Sequence, residues 1–124
     1  LGAKARLLGR VPDIDDFLAC CDVFSLPSQL EGFGLVYVEA AFHGLPSVAA
    51  RVGGVPDAIV DGVTGLLVPV GDVSAIADAL QRLRSDGALR VKLGEAARAR
   101  ANGELTEAHM TAGFERVFRS RGVA

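Results

Sequence analysis

The sequence has no tryptophan, one tyrosine and one methionine among its 124 residues. With no tryptophan and a single tyrosine, there is no aromatic platform for stacking bases along a nucleic-acid strand. Nor does one charge dominate: fifteen acidic residues against thirteen basic ones leave a formal net charge of -2. Eleven of the thirteen cations are arginine, and they are scattered along the chain. That leaves no electrostatic footprint for nucleic acid or for an anionic membrane. The only cysteines, Cys20 and Cys21, are adjacent. Neighbours cannot close an ordinary disulfide, and two ligands do not make a zinc site. Both are expected to be small buried hydrophobes near a helix end, and nothing demands an oxidising compartment.

Other absences narrow the function further. No uncharged apolar run reaches the ~18 residues needed to span a membrane, and no signal peptide is present, so the chain reads as cytoplasmic. No GxGxxG follows a strand, which removes a dinucleotide fingerprint, and there is no phosphate-loop lysine. Serine and histidine are not arranged as a nucleophile elbow. His43, just before Gly44, suits an interaction with a helix C-terminus, and His109 suits a surface position.

What is present is one domain's worth of chain, half of it hydrophobic. The first residue is leucine, not methionine, and a strand pattern begins almost at once, so further sequence upstream is expected. Short aliphatic runs alternate with helical patterns, which predicts an α/β fold built from parallel βαβ units. Four strands are predicted: Ala5–Leu8, Asp22–Leu26, Ser47–Ala50 and Gly65–Val68. Their apolar character without alternation suits strands covered on both faces.

The helices have readable ends. Asp13 is a good N-cap, with Ile14, Phe17, Leu18 and Cys21 recurring behind it at helical spacing. A second helix should start near Gly34 and stop at Gly44, with Pro46 just beyond. A short third one should run from Pro56 to Val60. After Pro69 the pattern is helix only. Ile76, Leu80 and Leu83 form one stripe, and Leu89, Leu93, Ala96 and Ala97 another. Met110, Phe114, Val117 and Phe118 form a third behind Thr106 as cap, and each stripe is expected to pack in the core.

The chemistry is concentrated between Pro27 and Glu39, PSQLEGFGLVYVE, where a strand ends and a helix begins. Open α/β sheets bind ligands at that carboxyl edge. Gly32 and Gly34 permit a tight turn and a close approach to the backbone, with the amides of the following helix start directed outward. A diphosphate suits such a place. Glu39 lies about a turn inside an otherwise apolar helix, where an unpartnered buried charge costs several kcal/mol. Ribose or sugar hydroxyls would supply donors. Spacing alone leaves a second reading open, with Glu39 exposed and Glu31 a helix cap. Arg51-Val52-Gly53-Gly54-Val55-Pro56-Asp57 repeats the strand-to-helix logic. Gly53-Gly54 taken alone could be only a turn, but two such turns in succession predict a shared ligand crevice.

The string Asp22 to Pro46, DVFSLPSQLEGFGLVYVEAAFHGLP, resembles the signature of retaining glycosyltransferases of family 4, whose fold is GT-B. Their Glu-x7-Glu is matched by Glu31 and Glu39. Gly53-Gly54 with Pro56, Asp61-Gly62 and Thr64-Gly65-Leu66-Leu67-Val68 fit the downstream pattern, and Leu8-Gly9-Arg10-Val11 resembles the loop that holds the base. The likeness runs over residues 5 to 100. Asp57 stands where the family more often has Glu, and Ser47 where Val is common.

The resemblance implies a Rossmann-like three-layer domain, the partial donor-binding half of a GT-B enzyme, spanning 1–124. It implies that Glu31 contacts the donor sugar near its reacting carbon. Gly32 would belong to the same turn, and Phe33, Gly34 and Leu35 would lend amides to sugar hydroxyls or the diphosphate. Glu39 would accept from the ribose, Val11 would flank the base, and Gly53-Gly54 would complete the crevice. The donor would be a nucleotide sugar used without a metal. An N-terminal domain outside this chain would hold the acceptor, and the full enzyme could sit at the inner membrane face. A non-catalytic α/β regulatory or interaction module, or a nucleotide-sugar epimerase, is the alternative. In the family's strand order Ala5–Leu8 has no neighbour within this chain, so it should be displaced or shielded by self-association.

Overall fold

The computed structural model describes residues 4–122. Three parallel strands, β1 (Phe24–Leu26), β2 (Ser47–Ala50) and β3 (Gly65–Val68), form one sheet in the order β1-β2-β3. Six helices accompany them: α1 (Ile14–Ala19), α2 (Leu35–Phe42), α3 (Val55–Ala58), α4 (Val73–Ser85), α5 (Gly87–Glu104) and α6 (Glu107–Ser120). The register pairs Phe24 with Ser47 and Ser47 with Gly65, so all three carboxyl ends emerge along one edge.

The layers follow from the two-residue period of a strand. Val48, Leu66 and Val68 point to one face, where Ala79 and Leu83 of α4 and Leu93 of α5 cover them. Ala49 points to the other, among Tyr37 of α2, Val55 and Ala58 of α3, and Ile59, with Leu67 packed alongside. All four residues of β2 are buried, which is why its sequence SVAA shows no alternation. Leu18 of α1 reaches Ala40 and Leu45, closing a smaller cluster beside Phe24.

Three sequence expectations are corrected. Ala5–Leu8 forms no strand: Leu7 is 89% and Leu8 56% exposed, and no β partner lies beside them among the described residues. An apolar segment without a neighbouring strand has no ladder to join, so the sheet has three strands rather than four. The stripe Met110, Phe114, Val117 and Phe118 faces solvent, and α6 buries no residue. Cys20 is exposed at the end of α1 and Cys21 is only half-buried, because α1 is too short to carry both under the sheet. No helix among the described residues is long and apolar enough to cross a membrane.

Two contacts fix α2. At its C-terminal end, Gly44 packs so closely against α5 that a Cβ on Gly94 would overlap the Gly44 carbonyl. The Arg98 guanidinium donates to the His43 carbonyl at 2.8 Å. Near its N-terminal end, the Tyr37 hydroxyl donates to the Leu26 carbonyl at 2.6 Å, and its ring meets Phe24 edge-on at 5.7 Å. Burial pushes the Tyr37 phenol above its ordinary value.

These contacts give signed outcomes for unfolding measurements. Alanine normally stabilises a helix interior over glycine by up to about 1 kcal/mol. Gly103→Ala, with open space at its Cβ, should follow that rule in urea unfolding, whereas Gly94→Ala should destabilise, because its neighbour is backbone. Equal signs would refute the close α2–α5 approach. Tyr37→Phe leaves the Leu26 carbonyl without its donor and should cost about 1 kcal/mol at neutral pH. Because the folded phenol titrates above the free one, its contribution holds below pH ~10 and is lost as pH climbs through the folded value. The variant should therefore lose less stability than the parent on going to alkaline pH; an equal loss would assign the alkaline sensitivity to another group.

Candidate functional site

The helix starts separate into two kinds. Asp13, Asp72, Asp86 and Thr106 each accept an amide of the first turn, capping α1, α4, α5 and α6. By contrast α2 and α3 begin at Gly34 and Gly54, and neither has a side-chain cap. These two helices are the ones that follow β1 and β2 at the carboxyl edge of the sheet. A helix start without a cap leaves N–H groups directed outward at the positive end of the dipole. A side chain would be out of place at Gly34 twice over: its φ is +77°, and a Cβ would meet the Tyr37 ring at 2.5 Å.

The two glycine-bearing loops touch. The Gly54 amide donates to the Gly32 carbonyl. A Cβ on Gly53 would overlap the Glu31 carbonyl, and one on Gly54 the Gly32 carbonyl. Residues 31–34 and 53–54 therefore make one continuous backbone surface. Gly53-Gly54 is thus more than an isolated turn, since these positions also receive the neighbouring loop.

Glu31 is half-buried, and its Oε1 accepts the Gly32 amide at 3.1 Å, so it braces its own loop rather than capping α2. Glu39 is exposed, one turn beyond exposed Leu35 on the same side of α2. Of the two placements the spacing left open, the exposed one holds: α2 turns Tyr37, Val38, Ala40 and Ala41 inward and Glu39 out. Phe33 borders the loop and, with Leu35, walls an open cleft of about 500 Å³ whose far side is Leu105, Thr106 and Met110. Val11 is half-buried in the irregular segment before α1. Among the described residues no backbone hydrogen bond joins residues 5–11 to the two loops.

Several supports were given no such role in the sequence analysis. Arg100, on α5, donates to the Ala58 carbonyl at 2.6 Å and the Asp57 carbonyl at 2.8 Å, closing the C-terminus of α3. Its Nε meets Glu104 at 3.0 Å. Arg51 pairs with Asp61, whose other oxygen accepts the Leu67 amide at 2.9 Å. The Arg100 contact spans more than forty residues and leaves no local signal. Asp61 had one, as a turn residue before Gly62. The His43 Nε2 lies 2.9 Å from Asp15, tying α1 to the end of α2. Among the described residues no three His, Cys, Asp or Glu side chains are grouped to hold a metal.

Known proteins carry the same pattern. Residues 1–100 match the family model of glycosyl transferases group 1. N-acetyl-alpha-D-glucosaminyl L-malate synthase of Bacillus anthracis is 35% identical over 115 residues, 93% of this chain and 30% of that protein. D-inositol 3-phosphate glycosyltransferase of Kribbella flavida is 46% identical over 98 residues, 77% of this chain and 23% of that protein. Among solved structures, Anabaena HepE in complex with UDP and glucose superposes with a TM-score of 0.87 at 28% identity, covering 96% of this chain and 33% of that one. The chain thus spans about a quarter to a third of these relatives. With its parallel sheet flanked by helices and its match over residues 1–100, the chain belongs to the group 1 glycosyl transferases, which have the GT-B fold.

Proposed function

We propose that this chain is the donor-binding domain of a retaining glycosyltransferase of family 4, and that the longer enzyme transfers a glycosyl group from a nucleotide sugar to an acceptor. The observation that carries this reading is the joined surface of residues 31–34 and 53–54, set before two helix starts that have no side-chain cap. Backbone amides at such a place suit a diphosphate without any lysine. That HepE was solved with UDP-glucose supports a uridine nucleotide as the first ligand to try.

Each residue then has a role. The amides of Phe33, Gly34 and Leu35 hold the diphosphate or sugar hydroxyls, and Glu31, braced on Gly32, faces the donor sugar. Glu39, exposed on α2, accepts the two ribose hydroxyls. Gly53-Gly54 form the opposite wall, and Val11 flanks the base through its backbone. Stabilising the leaving diphosphate as charge develops on it is the main catalytic contribution of such a half-site. It needs no metal. The acceptor belongs to a domain outside this chain, so the chain alone binds nucleotide and turns nothing over. A cytoplasmic setting agrees with the cysteine usage.

Titration of the labelled chain with UDP, GDP and ADP, followed by amide NMR, tests this. The preferred nucleotide should shift Gly32 to Glu39 together with Gly53 and Gly54. Glu39→Ala should weaken binding about tenfold, the lower end for hydrogen bonds to a charged group. Shifts elsewhere, or an affinity that the substitution leaves unchanged, would remove the ribose role.

A further inference from the structure

Helix α1 is seated on α2 by one apolar and one polar contact. Leu18 is fully buried against Ala40 of α2 and against Leu45. The polar contact joins Asp15 Oδ1, in the first turn of α1, to the His43 Nε2 at 2.9 Å. A carboxylate only accepts hydrogen bonds, so Nε2 carries the proton between them. The two partners are held unequally. His43 is the C-cap of α2, with its amide on the Glu39 carbonyl and its own carbonyl held by Arg98 of α5 at 2.8 Å. Its side chain is 22% exposed, whereas that of Asp15 is 78% exposed. His43 is therefore the fixed end, and what it holds is α1.

His43 also stands four residues after Glu39, one turn along the same side of α2. Contact with Asp15 thus sets α1 against the end of the face that carries Glu39. Between Val11 and α1 stand only Pro12 and the N-cap Asp13. The ring of Pro12 locks its own φ, and Asp13 is fixed by accepting the Asp16 amide at 3.1 Å. The path from His43 to Val11 is short and largely stiff. It supplies a tie that the backbone does not, since among the described residues no backbone hydrogen bond joins 5–11 to the two loops.

We infer that Asp15 and His43 are a positioning pair for the nucleobase: through α1 they hold the backbone of Val11 where it flanks the base of a nucleotide whose ribose lies on Glu39. The inference rests on the donor-site reading above. Neither side chain touches the ligand. With the pair broken, α1 keeps Leu18 as its anchor but loses the contact that fixes its first turn, and Val11 no longer has a set distance from α2. The diphosphate, held by residues 31–34 and 53–54, does not depend on the pair.

Calorimetric titration with two ligands separates this role from a general weakening of the fold. One is the nucleoside diphosphate preferred among UDP, GDP and ADP; the other is ribose 5-diphosphate, the same molecule without its base. In Asp15→Ala and in His43→Ala the nucleoside diphosphate should bind about threefold more weakly, the size expected for a partly exposed ion pair. Ribose 5-diphosphate should bind as it does to the parent. The double variant D15A/H43A should lose no more than either single variant, because the same contact is removed each time. His43→Gln, whose amide still donates to Asp15, should recover most of the parent affinity. An equal loss for both ligands would overturn the proposal and make the pair a support of the whole domain. Additive losses in the double variant would overturn it too. A parent chain that binds both ligands equally at the two loops would refute the base contact and leave the diphosphate site standing. A parent that binds neither would remove the donor-site reading and this inference together.

Discussion

Two loops that are distant in sequence meet through their backbones, and the rest of the site depends on that meeting. Carbonyl oxygens of Glu31 and Gly32 lie where side chains of residues 53 and 54 would be, and the Gly54 amide closes the contact with a hydrogen bond. Backbone cannot yield as a side chain can. The approach is therefore possible only because both positions lack a Cβ, and because Gly53 takes a φ of +52°. The result brings the starts of α2 and α3 onto one surface, each left without a side-chain cap.

The surrounding fold serves to hold these two helix starts still. Tyr37 ties the first turn of α2 to the end of β1, while Gly94 and Arg98 of α5 hold its far end. Arg100, two residues further along α5, holds the carbonyls that end α3. A single helix thus anchors both of the elements that face the proposed ligand. Alternation across β2 separates the faces: Val48 packs toward α4 and α5, and Ala49 toward α2 and α3.

Much of this was legible in the sequence, for local reasons. Asp13, Thr106 and Gly44 act within a turn of where they stand, so their roles as caps and terminator follow from neighbouring residues. Three of the four strands were legible because short aliphatic runs ended at turn residues. The fourth, Ala5–Leu8, failed because a strand is made by its neighbour as much as by its own residues. Whether Glu39 is buried or exposed stayed open in the sequence because α2 is apolar on nearly every side, which hides the face that turns outward. The α6 stripe was misread for a related reason: periodicity shows that a face is apolar, not that this chain covers it. The contact between the glycine loops, like the reach of Arg100, is a property of tertiary structure that no local spacing contains.

The central claim is that the backbone contact between the two loops creates the nucleotide site. Calorimetric titration of UDP into the parent chain and Gly54→Ala tests it most directly, with amide spectra confirming that both are folded. The account predicts that the added methyl separates the loops and lowers affinity at least tenfold, about 1.4 kcal/mol or more, while β1, β2 and β3 keep their signals. Unchanged UDP affinity in a folded Gly54→Ala chain would contradict it, because the loops would then bind without meeting.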